Sequence, residues 1–574
     1  MYDKYTNLKI LGRGIKDEIT KKVRSNTDQK LYVIKNLGQQ SLTENQIQIL
    51  NILEKDECPN IVKHYSLENN NVEITTDFIN NGDLQDYVNT FNDLNQPIEE
   101  KILWNIFFQC AESIKYLHEK NIIHRNIRLE NFYMTEDKEI KLGNFRYCSF
   151  NNMDENINYP EDGILYKSAD TLNNNTYNKK SDIYALGVVF YNLCYFQFPY
   201  EVTDKPDPEN ENNCKYELKK NQEKPNNYSN DLKNLINKMI EQNEEQRPDI
   251  NSIYEICFEK GVKYTSIESV CRCLSSIGGA FKIVEEIKGK FNFEENKEEM
   301  PVTYNLYNLK NYFQSDEKKE IISKDKFIKY IINMKTLLEK SLKSFKKDEE
   351  MKPHDIINFI INNYLKEMKE KMNEIKDKFS EKEYNRFNIA IEGYFLGKLE
   401  VELKSKPSDN SFPIHIFKIM NINTAKCQKY LNDNKEYDLV SIINNRDFLD
   451  TEQFQYHNFE TFPRYLIFHI EPGEDNIPSK IMNIPKTIDP YKFNFKDKTF
   501  AKFEYALCGF IVKIIKEGEE QYVSIYLMRD KNSILEWKIS EGNSVKYLNN
   551  GDVMKYAEGT IEIIFYKTNK INNC

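Results

Sequence analysis

An α+β protein of two domains is what this sequence predicts, on three observations. The chain has 574 residues, too long for one ordinary domain of roughly 150 residues. Residues 6–80 alternate apolar and polar positions in short runs such as LYVIKNL and NVEITTDFI, which predicts strands around one helix. Residues 83–258 then read mostly as helices, as in ILWNIFFQCAESIKYLHEK. From Gly261 a second pattern starts. Helical periodicity with dense Lys and Glu covers 265–288 and 326–380, and strand-like alternation covers 388–570, as in NIAIEGYFLGKLEVEL. The boundary near 258–262 has no Gly/Ser linker. Short asparagine-rich patches, such as TLNNNTYNKK, lie between patterned segments and read as solvated loops.

Composition narrows the function classes. Lys+Arg number 80 against Asp+Glu 90, a net charge of -10, which argues against binding nucleic acid or an anionic membrane through overall charge. The 11 cysteines are scattered from Cys58 to Cys574 without a C-x-x-C, so neither a disulfide framework nor an all-cysteine zinc site is expected. That usage suits a reducing compartment. The first residues, MYDKYTNLKI, are charged where a signal peptide is apolar, and no window reaches about 18 apolar residues. A soluble, cytoplasmic protein without a membrane span is the expectation.

The first unit opens with ILGRGIKDEI at 10–19 and LYVIK at 31–35. A glycine turn between two strands, followed by a lysine on a strand, places backbone N–H groups and an ammonium around polyphosphate. Downstream stand IIHRNIRLENFYM (122–134), KLGNFRY (141–147), YKSADTL (166–172), SDIYALGVVFY (181–191) and QRPDI (246–250). In this order and spacing the segment 5–258 resembles the eukaryotic protein kinase family. The resemblance implies a bilobal kinase-like domain over 1–258, with Asp182, Gly187 and Arg247 as fold anchors and Asp170 as a carboxylate partner for Arg247.

The departures from that family fall on its chemistry. Asn126 stands where the resemblance places the catalytic base, and an amide has no proton affinity for that task. Asn144 replaces the carboxylate that holds magnesium, and Arg146 adds a cation beside it. Gln46 replaces the glutamate that pairs Lys35, while Glu44 lies on roughly the opposite helical face. Asp17 occupies the third glycine position of the loop, and Arg128 stands in for a lysine. What remains is a candidate nucleotide site made of Gly12, Gly14, Lys35, Thr76, Phe78 and Asn131. ATP is its candidate ligand, without magnesium. The kinase-like unit therefore reads as a pseudokinase.

The second unit carries TSIESVCRCLSSIG (265–278), MKPHDIINFIINNYLKEMKE (351–370), FPRYLIFHIE (462–471), YALCGFIVKII (505–515), QYVSIYL (521–527), LEWKIS (535–540) and IEIIFYK (561–567). Together these resemble ubiquitin-specific proteases, implying a papain-like domain over 261–570. Its catalytic positions are also altered. Thr265 falls where the resemblance puts the nucleophilic cysteine, Gln521 where it puts the histidine base, and Ser540 or Glu541 where it puts the orienting acid. The paired zinc cysteines are absent, with Cys427 alone, and no metal is expected. Thr265 also reads as a helix N-cap. Cys271 and Cys273 read as core residues, and His469 as a core histidine, not a catalytic one. His354, His415 and His457 lie in a helix start, a transition and a loop.

The expectation is a non-catalytic scaffold that uses both units as binding surfaces, with ubiquitin, a ubiquitin-modified protein or an active kinase as partner. The rival readings are a weakly active kinase using Lys35, and a nucleotide-responsive switch without turnover. The Lys/Glu-rich stretch 338–380 is expected to be a solvated helical face.

Overall fold

The computed structural model describes residues 4–13, 18–37, 42–55, 58–68, 73–151, 161–174, 176–204, 217–221, 227–262, 264–277, 279–315, 324–341, 351–403, 414–417, 419–423, 437–439, 454–461, 463–471, 481–482, 484–489, 504–516, 519–529, 535–541, 544–548, 553 and 560–568. The chain divides into two compact units, Met1–Val262 and Lys263–Cys574. The fold class is α+β in both. Among the described residues, no helix is long and apolar enough to cross a membrane.

The first unit begins with an antiparallel sheet of β1 (Tyr5–Arg13), β2 (Ile19–Ser25), β3 (Leu31–Asn36), β4 (His64–Glu68) and β5 (Glu73–Asp77), in the order β1-β2-β3-β5-β4. One helix, α1 (Glu44–Lys55), interrupts it and buries Gln46, Ile49, Leu50 and Leu53. Lys35 lies directly across from Thr20 on β2 and Ile74 on β5, so its position on the sheet is fixed from both sides.

The rest of the unit is helical: α2 (Leu84–Asp93), α3 (Glu100–Glu119), α4 (Ala169–Asn174), α5 (Lys179–Tyr195), α6 (Asn230–Met239) and α7 (Ile250–Gly261). Helix α5 is apolar nearly all round and is buried from Asp182 to Tyr195, as a central core helix must be. Its start is set by a capping box between Asn178 and Ser181. Phe107 of α3 stacks on Phe190 of α5 at 3.6 Å. Gly187 is needed for packing, since a Cβ there would lie 2.7 Å from the Cβ of Met239 on α6.

The second unit opens with α8 (Thr265–Ile277), α9 (Gly279–Ile287), α10 (Pro301–Ser315), α11 (Lys324–Ser341), α12 (Pro353–Glu374) and α13 (Glu381–Phe395). An eight-stranded sheet follows. Its main path runs Met420–Asn423, Tyr465–Glu471, Thr560–Thr568, Tyr505–Lys516, Glu519–Arg529, Leu535–Glu541 and Ser544–Leu548, and Thr487–Ile488 pairs with Tyr505–Lys516. Helix α8 lies on the strands Tyr505–Lys516 and Glu519–Arg529. Gly509 permits this close approach: a Cβ there would stand 3.1 Å from the Ile525 carbonyl and 3.5 Å from Cys273 Sγ.

Two expectations are corrected here. Residues 388–395 belong to helix α13 and not to a strand, because a Ser380–Glu383 capping box starts a helix whose Phe387, Ile391, Tyr394 and Phe395 share one buried face. The stretch 338–380 is not one solvated face. Helix α12 buries Ile356, Ile357, Ile360, Ile361, Tyr364, Met368 and Met372, so it belongs to the core. Even its charged residues are used inside: Glu367 accepts the Val302 and Thr303 N–H groups at the start of α10, at 3.0 and 2.8 Å.

Candidate functional site

The kinase-like cleft is organised around Asp182 near the start of α5. Its carboxylate accepts the backbone N–H groups of His124 (2.8 Å) and Arg125 (2.9 Å) and pairs His118 Nε2 at 3.0 Å. Burial pushes this carboxyl up, but the bond from His118 and the neighbouring imidazoles hold it below its ordinary value. Arg125 thereby sits in the left-handed region at φ 67°. The segment carrying Asn126 is thus pinned from beneath. Asn126 borders a shallow cleft, together with Arg125, Tyr166, Lys167 and Tyr177.

Lys35, the substituted Asn144 and the retained Asn131 form one directional chain that ends on the Asn126 backbone. Lys35 Nζ donates to Asn144 Oδ1 at 3.3 Å, Asn144 Nδ2 donates to Asn131 Oδ1 at 3.1 Å, and Asn131 Nδ2 donates to the Asn126 carbonyl at 2.7 Å. Asn144 adopts φ 64°, ψ 55°, a conformation that asparagine tolerates better than most residues. A carboxylate at 144 could accept from Lys35 but could not donate to Asn131, so the chain is built for an amide. Burial lowers the proton affinity of Lys35.

Gln46 and Arg146 find partners elsewhere. The Gln46 Oε1 accepts the Thr43 N–H at 2.8 Å, and its Nε2 donates to the carbonyl of Arg146. Gln46 therefore joins α1 to the 145–147 turn and leaves Lys35 alone. Among the described residues, no carboxylate bridges Lys35. The Arg146 guanidinium, the cation added beside the metal position, is ion-paired to Glu18 beside β2, with both side chains largely buried at 10% and 14% exposure. Arg128 holds Glu130 in a two-pronged bond, at 2.8 and 2.6 Å. Near the other end of the cleft, the Lys22 ammonium lies 3.8 Å from the ring centre of Phe78, and Thr76 Oγ1 contacts the Asp77 carbonyl at 3.4 Å.

These residues do not fit magnesium. The ion requires hard oxygen ligands, usually with one or two carboxylates, whereas Asn144 Oδ1 is taken by Lys35 and Asn131 Oδ1 by Asn144. Gly12 lies on β1, whereas Gly14 and Asp17 fall outside the described residues. So does the side chain of Asp170, and Arg247 Nε, NH1 and NH2 donate to the carbonyls of Glu241, Lys180 and Gln242.

In the second unit, Thr265 stands at the start of α8 and its Oγ1 accepts the backbone N–H of Tyr522 at 3.2 Å. One helical turn on, Ser269 Oγ donates to the Tyr522 carbonyl at 2.9 Å. Two hydroxyls thus bracket both polar atoms of one strand residue. The ladder between Glu519–Arg529 and Leu535–Glu541 reaches only Ser524↔Ser540, so Tyr522 lies just past its end and α8 takes the place of a neighbouring strand. The positions expected for nucleophile and base are brought together, for the peptide joining Gln521 to Tyr522 is the one that Thr265 holds. Ser540 is 3% exposed on the adjoining strand, and the side chain of Glu541 is not among those described.

The core readings can be placed as well. Cys271 and Cys273 are fully buried, and burial pushes both thiols up. Beside them Arg272 bonds Glu268 at 2.8 Å and the Tyr526 hydroxyl at 3.2 Å, so the helix carries its own neutralised charge inward. Cys427 and the side chains of His415 and His457 lie outside the described residues.

His469 is 7% exposed, its Nδ1–H donates to Asn421 Oδ1 at 3.2 Å, and its ring stacks on His354 at 4.1 Å. Asp355 meets His354 at 3.1 Å, and Glu471 lies 3.9 Å from His469. Burial first, and then the neighbouring His354, lowers His469 from 6.5 to about 3. The folded state thus resists a proton that the unfolded chain accepts, so this stability is present above about pH 6.5 and is lost as pH falls toward 3. Melting of the second unit between pH 7 and 4 is expected to drop less in His469→Gln than in the unsubstituted chain. Equal drops would show that His469 does not titrate in this way.

Sequence reasoning missed Glu18, Lys22 and Ser269. Only Ser269 left a trace, lying four residues after Thr265 and hence on the same helical face.

Known families match both units of the chain. The protein kinase domain model matches residues 5–258, and the ubiquitin carboxyl-terminal hydrolase model matches residues 202–566. The overlap, 202–258, lies in the first unit of the structure, where α6 packs on α5 and α7 on α3. The chain is 29% identical over 262 residues to serine/threonine-protein kinase Nek1 of Mus musculus, covering 44% of this chain and 21% of that protein. It is 24% identical over 267 residues to probable serine/threonine-protein kinase nek2 of Dictyostelium discoideum, covering 45% and 63%. With Nek2 of Homo sapiens it shares 27% over 248 residues, covering 41% and 55%. The match thus spans less than two thirds of each of these relatives. The chain belongs to the ubiquitin carboxyl-terminal hydrolase family and carries a protein kinase domain ahead of that region.

Proposed function

We propose that the protein is a non-catalytic scaffold in which a pseudokinase and an inactive ubiquitin-hydrolase-type unit both serve as binding surfaces. The observation that carries this reading is the chain from Lys35 through Asn144 and Asn131 to the Asn126 backbone carbonyl, with neutral asparagines at the positions of base and metal ligand and the Asn144 amide bonded on both sides. Phosphoryl transfer depends on positioned charge, and these groups supply none beyond a lysine already engaged. In the second unit, Thr265 Oγ1 accepts the Tyr522 N–H, and an amide at 521 has no proton affinity to activate that hydroxyl as a nucleophile.

The partners proposed are ubiquitin, a ubiquitin-modified protein or an active kinase. Capture of ubiquitin chains by the immobilised full chain tests the first two, alongside hydrolysis of a ubiquitin amide reporter. Capture without hydrolysis supports the proposal. Hydrolysis abolished by Thr265→Ala, or no capture at high micromolar ubiquitin, counts against that half. A second reading, a weakly active serine/threonine kinase, is favoured by the retained Lys35 and Asn131 and by the names of the relatives. A nucleotide-responsive switch without turnover needs the same two residues.

A further inference from the structure

Three parts of the kinase-like cleft converge on Arg146. Its guanidinium is ion-paired to Glu18, which directly precedes β2, and its carbonyl accepts from Gln46 of α1. Its neighbour Asn144 takes the ammonium of Lys35 from β3. Sheet, helix and the 144–147 segment are therefore tied through one short stretch of chain, at the position where the sequence resemblance would place phosphate and metal. Glu18 and Arg146 lie 128 residues apart, so only the folded cleft brings them together.

The chemistry of this pair is that of an anion site already filled. Polyphosphate is held by cations and backbone N–H groups. Here the Glu18 carboxylate occupies Arg146, and the Asn144 side-chain oxygen Oδ1 occupies Lys35. An incoming phosphate must displace a largely buried carboxylate that is part of the same chain and whose local concentration is correspondingly high.

We propose that the Glu18–Arg146 ion pair is a self-occluding latch, in which Glu18 acts as an internal anion that keeps nucleotides and other polyphosphates out of the cleft. This deepens the scaffold reading and rests on it in one respect: the cleft is taken to be a structural joint, not a working active site.

The latch makes an asymmetric demand on its two partners. Glu18→Gln releases Arg146 as a cation inside the cleft, whereas Arg146→Gln releases Glu18 as an anion. Titration of the full chain with ATP in the presence of EDTA, followed by thermal shift and calorimetry, reads the difference. The unsubstituted chain and Arg146→Gln are expected to show no binding up to millimolar ATP. Glu18→Gln is expected to bind at least tenfold more tightly than either, and the double variant is expected to lose that gain. Glu18→Asp, one methylene shorter, is expected to give a smaller gain in the same direction, which keeps the test open if Glu18→Gln does not fold.

Binding by the unsubstituted chain as tight as by Glu18→Gln overturns the latch but leaves the scaffold reading intact. So does a folded Glu18→Gln or Glu18→Asp that gains nothing. Turnover of ATP by the unsubstituted chain would instead overturn the scaffold reading, so the two failures are distinguishable.

Discussion

Asp182→Ala is expected to destabilise the kinase-like unit by about 3–5 kcal/mol, enough to unfold many domains of this size. The carboxylate is completely enclosed and holds His118, the His124 N–H and the Arg125 N–H at once. Removing it strands two buried backbone donors and an imidazole, and each stranded group costs roughly 1–3 kcal/mol. Because Arg125 is held at φ 67°, the turn bearing Asn126 loses its anchor too. Urea unfolding of the full chain, followed by probes in each unit, measures the effect. A loss confined to the first unit is predicted. A change below about 1 kcal/mol would mean that Asp182 does not organise the cleft.

Thr265→Cys combined with Gln521→His is expected to produce the largest chemical change available in the second unit. A cysteine at the start of α8 gains thiolate character from the helix N-terminus, and an adjacent imidazole lowers its pKa further. Alkylation by iodoacetamide at neutral pH should then be about tenfold or more faster than for Thr265→Cys alone. Among the described cysteines the background is favourable, since burial pushes the thiols of Cys271, Cys273 and Cys508 up and Cys58 is raised to about 12. If histidine at 521 brings no acceleration, its side chain does not face position 265. The residue-by-residue match to the hydrolase site would then be wrong, whatever the fold.

Both expectations rest on what was legible in the sequence. The strands around one helix and the helical stretch after them could be read directly, because glycine turns, alternation and ordered motifs are local signals. The positions of Asn126, Asn144 and Gln46 in the cleft could be read too. Their partners could not. Gln46 bonding to the Arg146 carbonyl and Glu18 bonding to Arg146 join residues 100 and 128 positions apart, and nothing local encodes such a meeting.

In the second unit the reason differs. NIAIEGYF alternates like a strand, but Ser380 and Glu383 start a helix upstream and the apolar face at Phe387, Ile391 and Tyr394 completes it. Capping outweighed alternation. The insertion of Thr560–Thr568 between Tyr465–Glu471 and Tyr505–Lys516 is a pairing across about 100 residues of chain, which strand patterns alone cannot order. The use of α8 hydroxyls to complete the strand edge at Tyr522 became visible only once the end of the ladder was known.

Incubation of the full chain with magnesium and γ-labelled ATP, with a general serine/threonine substrate present, tests the central claim most directly. The proposed scaffold, with asparagines at positions 126 and 144 where kinases carry base and metal ligand, predicts no label above that of Lys35→Ala. Incorporation that Lys35→Ala abolishes would contradict it.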